Sequence, residues 1–158
     1  MQYSLTLDGY DIKLLAALQE NATLTNQQLA DAVNLSPSQC SRRRASLEQR
    51  KLIIACEARL DREQLGYGLT VFVSVMLNTH NRDNARKFAE LMKRLPMVLE
   101  AHSLTGEMDY QIKLVARNLR ELSDIINNEI LPHESVQTVK TSIVLDTIKE
   151  TSSIPLSA

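Results

Sequence analysis

Ser36, Ser38, Gln39, Arg42, Arg43 and Ser46 lie close together in the chain and carry the side-chain groups that read DNA. At about 100° per residue, counted from Cys40, Leu47 falls near −20° and Arg44 near 40°. Ser38, Gln39, Arg42, Arg43 and Ser46 fall between about 160° and 300° on the same wheel. One side of such a helix is apolar, and the other presents hydroxyls, an amide and two guanidiniums. Arg donates a pair of hydrogen bonds to guanine, Gln pairs with adenine, and Ser reaches bases or phosphates without filling the major groove. Amides at the helix start, around Ser38 and Gln39, add a phosphate site. A run of three Arg by itself reads equally as a solvated basic face, so the surrounding elements decide.

Those elements are three short helices. Asp8 caps the first, with Asp11 three positions on and Tyr10, Leu14, Leu15 and Leu18 as its apolar stripe. Thr25 and Gln28 form a capping box ahead of Leu29, Ala30 and Val33, and Asn34 is suited to end that helix in the left-handed region. Ser36 caps the third helix, Pro37 takes its first position and Gln39 completes another box. Only Asn34 and Leu35 separate the last two helices, so they cross steeply as a helix-turn-helix. Ile53 to Leu60 is expected to form a wing hairpin.

Charge is distributed to match. The chain has 158 residues, with 18 Lys and Arg against 19 Asp and Glu. The segment from Thr25 to Leu60 holds Arg42, Arg43, Arg44, Arg50, Lys51 and Arg59 against Asp31, Glu48 and Glu57, a local excess of base in a slightly acidic chain. The 44% hydrophobic content supports a folded core and excludes disordered and low-complexity classes. No apolar run approaches the roughly 18–20 residues of a membrane span. No secretory signal is visible, and Cys40 and Cys56 make no disulfide framework, so a cytoplasmic protein with reduced thiols and no membrane contact is expected.

Other chemistry finds little support. His80, His102 and His133 are scattered without zinc-ligand spacing, and no glycine-rich nucleotide motif is present, so neither metal nor cofactor is expected. Cys40 sits on the core stripe and reads as a packed thiol.

Beyond a hinge at 61–68, the pattern changes. Leu69 to Leu77 is a strong strand, a helix runs from about Asp83 to Leu95, and strands cover Val98 to Thr105 and Met108 to Ala116. A second helix spans about Leu119 to Leu131, and a last strand about Val136 to Ile148. This β-α-β-β-α-β order is ferredoxin-like, and the chain is α+β overall. The domains are expected at 1–60 and 69–150, with a tail at 151–158. The first strand is apolar on both faces, which points to packing on a second chain.

The chain resembles the feast/famine regulators, the Lrp/AsnC family of transcription factors. The resemblance rests on Leu7-Asp8-x-x-Asp11 with Leu14-Leu15, on Leu35-Ser36-Pro37-Ser38-x-Cys40-x-x-Arg43, and on Thr105-Gly106-Glu107-Met108-Asp109-Tyr110. It implies an N-terminal winged helix-turn-helix, a C-terminal RAM/ACT-like amino-acid-sensing domain, and dimers assembling to octamers with effectors at subunit contacts. Two positions depart from the family pattern: Arg44 stands where an aliphatic residue is usual, and Lys51 where glycine is usual. Arg44 either snorkels out along the core or pairs with a nearby carboxylate.

The turn from Thr105 to Tyr110 reads from its residues alone either as a plain hairpin turn or as an amino-acid site, with glycine amides for a carboxylate and Asp109 for an ammonium group. The resemblance favours the second reading, with Gly106 and Asp109 foremost and Thr141, Ile143 and Val144 as neighbours shaping the pocket. The expected function is a sequence-specific, DNA-binding transcriptional regulator acting on a pseudo-palindromic operator and responsive to an amino acid. The alternatives are a sirohaem-decarboxylase-like enzyme, for which His102 is the only catalytic candidate, and an amino-acid sensor that binds no DNA.

Overall fold

Each of the first three helices in the computed structural model, which describes residues 7–78 and 82–156, opens on a capping box. Asp8 caps α1 (Gly9–Glu20), Thr25 caps α2 (Asn26–Val33), and Ser36 caps α3 (Pro37–Gln49) with Pro37 in its first turn. The capping oxygens satisfy amides that the first helical turn leaves unpaired. Asn34 ends α2 at φ 57°, and Leu35 N–H reaches back to the Ala30 carbonyl at 3.1 Å. That reversal turns the chain into α3 within two residues.

Leu14, Leu29, Val33, Cys40 and Leu47 form the centre of the helical core. Tyr10, expected on the apolar stripe of α1, is instead 43% exposed. Beneath the first turn of α1 the inward position belongs to Asp11, which is buried, and the Tyr10 ring lies under the Arg43 guanidinium at 5.5 Å.

The expected wing hairpin is absent. Leu52 and Ile53 pack on the helical core, and residues 54–61 adopt no regular secondary structure, with Ile54 89% exposed. A hairpin needs two strand-forming runs, and this stretch supplies one.

The second unit, Leu60–Ile148, is built on a four-stranded antiparallel sheet. Its strands are β1 (Leu69–Leu77), β2 (Val98–Ser103), β3 (Tyr110–Ala116) and β4 (Val136–Ile143), in the order β2-β3-β1-β4. Both crossings carry a helix: α4 (Arg82–Arg94) after β1, and α5 (Leu119–Asp124) after β3. The helix begun by α5 continues through a π-helical turn, Ile125–Ile130. This is the ferredoxin-like order expected. Val71, Val73, Val75, Ile112 and Leu114 are buried with Phe88, Leu91 and Met92 of α4. β4 ends at Ile143, short of the Ile148 expected, because its neighbour β1 begins at Leu69 and Val144 N–H makes a last bond to the Thr70 carbonyl at 2.9 Å.

The first unit comprises the described residues up to Arg59 together with the segment from Lys149 onward. His80 lies outside the described residues.

Candidate nucleic-acid interface and effector turn

α3 presents its far side to solvent. Ser38, Arg42 and Ser46 are exposed there, and Arg42 has no ion-pair partner among the described residues. Ser36 and Gln39 are exposed too, but their polar atoms are largely spent on the cap. Gln39 Oε1 accepts from the Ser36 N–H and hydroxyl, both at 3.0 Å, which leaves its amide NH₂ for outside partners. Ala45 and Gln49 share this exposed side. Their helical angles already place them there, but neither carries the basic or hydroxyl group that marks the other members of this face.

Arg43 departs from expectation. It points away from the solvent face and is held by two carboxylates, with Nη1 2.6 Å from Asp11 Oδ1 and 2.8 Å from Asp8 Oδ2. Its angle, near −60° from Cys40, sits beside the core stripe, so a long side chain there reaches α1 sooner than solvent. The bonds to Asp11 and Asp8 push the Arg43 pKa up, while the Asp11 amide, followed by Arg43, holds the Asp8 carboxyl below its usual value. Arg44 pairs with Glu48 at 3.0 Å, one of the two arrangements foreseen for it. Cys40 is fully buried, and burial raises its thiol pKa, leaving an inert packed sulfur.

In the second unit, the turn between β2 and β3 leans across the end of β1. Asp109 N–H donates to the Val75 carbonyl at 3.0 Å, and Asp109 Oδ2 accepts from Leu77 N–H at 2.8 Å. The Asp109 carboxylate therefore takes the Leu77 amide where the pairing of β1 with β3 has ended, as well as lining the turn. Gly106 has φ 133°, a conformation side chains resist. Glu107 reaches Lys140 of β4 at 3.2 Å, a contact the sequence did not announce. Thr105 is exposed, Met108 is half-buried, and the Tyr110 ring packs on Phe88 at 4.8 Å.

The other expected pocket residues lie elsewhere. Thr141 is opposite Val73 and Ile143 opposite Val71, on the helix-covered face of the sheet, and both are exposed at its edge. Lys140 is opposite Ser74, on the other face. The turn reaches β4 through Glu107 and Lys140, whereas Thr141 and Ile143 lie on the opposite face of that strand. The open face carries Phe72, 40% exposed, and half-buried Met76. Among the described residues no cluster of His, Cys, Asp and Glu is placed to hold a metal ion. No helix among them is long and apolar enough to cross a membrane.

Residues 7–48 match the family model of the AsnC-type helix-turn-helix domain, and residues 70–154 match that of the Lrp/AsnC ligand binding domain. The chain is 33% identical to the transcriptional regulator AzlB of Bacillus subtilis over 150 residues, covering 95% of this chain and 96% of that protein. It is 35% identical to the leucine-responsive regulatory protein of Rhizobium meliloti, covering 91% and 92% respectively. Among solved structures, a Neisseria meningitidis transcriptional regulator in complex with L-methionine superposes with a TM-score of 0.92 at 38% identity, covering 96% of this chain and 97% of that one.

Proposed function

The chain belongs to the Lrp/AsnC family of transcriptional regulators, and from that premise we propose that it binds operator DNA through the exposed side of α3 and senses an amino acid through its C-terminal unit. The observation that carries the DNA half is the side of α3 bearing Ser38, Arg42 and Ser46, exposed beyond a tight turn from α2. Arg42 reads or anchors, Ser38 and Ser46 contact phosphates or bases, and the free amide of Gln39 is the remaining adenine reader. Ser36 contributes by fixing the helix start and its exposed amides.

For sensing, the left-handed Gly106 and the Asp109 carboxylate offer amides and negative charge to a zwitterion. A relative solved with L-methionine supports an amino acid as the ligand class. Thr141 and Ile143 lie on the face of β4 opposite Lys140, so with Val144 they line the pocket only where subunits meet. The open sheet face around Phe72 and Met76 packs two chains together, and dimers assemble further, to an octamer. A two-fold dimer sets two α3 helices in successive major grooves about 34 Å apart. The protein works in the cytoplasm as a regulator without catalysis of its own.

A gel shift on the DNA upstream of its own gene, with and without each of the twenty amino acids, tests this. A specific shift altered by one or two amino acids supports both halves. A shift indifferent to all twenty removes sensing, and no shift at low salt from folded protein removes DNA binding.

A further inference from the structure

The C-terminal segment does not trail free after β4. Residues 145–148 are solvent-exposed, with Leu145 and Ile148 98% and 97% exposed. The chain is then caught again by the helical unit. Arg59 donates to the Glu150 carboxylate at 2.6 Å and to its backbone carbonyl at 3.1 Å. Gln19, near the end of α1, makes a reciprocal pair with the backbone of Ile154, accepting from its N–H at 2.8 Å and donating to its carbonyl at 3.1 Å. Leu156 packs against the core of the three helices.

The consequence concerns attachment. The chain passes between the two units once after Arg59 and once before Lys149. Arg59 clasps the second crossing to the first at its root, and Gln19 and Leu156 anchor the residues beyond Glu150. Gln19 recognises only backbone groups, as in strand addition, so it holds the segment without demanding a particular side chain there. A unit joined through one extended segment rotates freely about it, and a second anchored segment removes much of that freedom.

We infer that Gln19 and Arg59 are positioning residues, which dock the C-terminal segment so that the DNA-binding unit is doubly attached and the dimer accepts only a narrow range of half-site spacings. This rests on the DNA-binding reading above, because spacing matters only if two α3 helices engage one operator. Neither residue lies on the exposed side of α3.

The test uses the full chain and operator duplexes in which the half-sites are moved apart one base pair at a time. Moving them by about half a helical turn, roughly 5 base pairs, forbids simultaneous engagement by a rigid dimer and costs wild type at least about tenfold in affinity. Gln19→Ala and Arg59→Glu lose less than about threefold across the same series, while affinity for the natural spacing falls only modestly. The exchange Arg59→Glu with Glu150→Arg restores the steep profile. Spacing profiles identical to wild type in both single variants overturn the inference, as does a flat profile in wild type.

Hydrogen exchange at the Ile154 amide, measured without DNA, examines the docking by itself. Protection in wild type that Gln19→Ala removes supports it, and an unprotected amide in wild type overturns it. Failure to bind any DNA sinks the DNA-binding reading and leaves the exchange result to decide the docking.

Discussion

Arg43 Nη1 lies 2.6 Å from Asp11 Oδ1, so α3, the helix proposed to face DNA, is pinned at its middle to the first turn of α1. Asp11 is 11% exposed at its side chain and Arg43 27%, which puts the pair at the edge of the core rather than in open solvent. A solvated ion pair contributes little, whereas a hydrogen bond to a charged group in this setting contributes about 1.5–3 kcal/mol. Asp8 and the Tyr10 ring complete the enclosure of the guanidinium.

Arg43→Met is therefore expected to lower the stability of the full chain by about 2 kcal/mol in urea unfolding, since it strands a nearly buried carboxylate. Adding Asp11→Asn removes the stranded charge, and the double variant falls short of the sum of the two losses. An additive double variant means the contact carries no coupling.

Acid unfolding gives an independent view. The Asp8 carboxyl is depressed from its ordinary 3.8 by the Asp11 amide first and by Arg43 after it. A depressed carboxyl stabilises the fold fully above its unfolded value, and that contribution is lost as pH falls through the folded value. Wild type should lose stability steeply below about pH 4, and Arg43→Met less steeply. Parallel acid limbs in the two proteins would show that Arg43 does not hold Asp8.

Arg42→Ala should behave oppositely. Its side chain is exposed and unpaired among the described residues, so stability stays within about 0.5 kcal/mol of wild type. Operator affinity falls by about 1–3 kcal/mol if the guanidinium reads a base. If it holds a phosphate, binding weakens on every sequence and the salt slope becomes shallower. Unchanged affinity would take Arg42 out of the interface.

The contrast between these neighbours shows what is legible in residue types and spacing. Caps, turns and alternation are local rules, so Asp8, Thr25, Ser36, Asn34 and the strand order can be read directly. Arg43 escapes them because a helical wheel gives an angle and not a reach. Beside the core stripe, a long side chain goes to whatever carboxylate the neighbouring helix offers, and from spacing alone Asp11 is only half of a cap. The wing fails for a related reason, since an apolar run says nothing about whether a second run exists to pair with it. The Gln19–Ile154 and Glu107–Lys140 contacts span long stretches of chain, and no periodicity encodes them.

In the turn between β2 and β3, substitution separates the bond Asp109 makes to the Leu77 amide from its proposed part in sensing. Asp109→Asn keeps an oxygen for the Leu77 amide but removes the negative charge. It should fold with near-wild-type stability, bind operator, and lose the response to amino acid. Asp109→Ala loses both the oxygen and the charge and adds a stability penalty of about 1–3 kcal/mol for the unpaired amide. Gly106→Asp, which forces a side chain onto φ 133°, should also abolish the response while sparing operator binding. A normal amino-acid titration with Asp109→Asn would leave the Asp109 carboxylate as an acceptor for the Leu77 amide and nothing more.

Lys51 holds a backbone conformation that favours glycine. Just past the Arg50 C-cap of α3, Lys51 sits at φ 57°, and the bonds around it are those of a Schellman reversal: Lys51 N–H to the Glu48 carbonyl at 3.0 Å and Leu52 N–H to the Leu47 carbonyl at 2.9 Å. Leu52 packs on the same cluster as buried Leu47, the apolar contact that accompanies this motif. A left-handed residue with a side chain costs roughly 1–2 kcal/mol, which glycine avoids. Glycine at this position avoids that cost, and lysine leaves strain in place just beyond α3. Part of the gain from Lys51→Gly is offset by the extra freedom glycine brings to the unfolded chain. The net expectation is a stabilisation of about 0.5–1 kcal/mol, read as a higher urea midpoint with an unchanged slope. Lys51→Ala controls for the lost charge and should give no gain. If alanine stabilised as much as glycine, repulsion among Arg44, Arg50 and Lys51, not backbone strain, would be the cost at this turn.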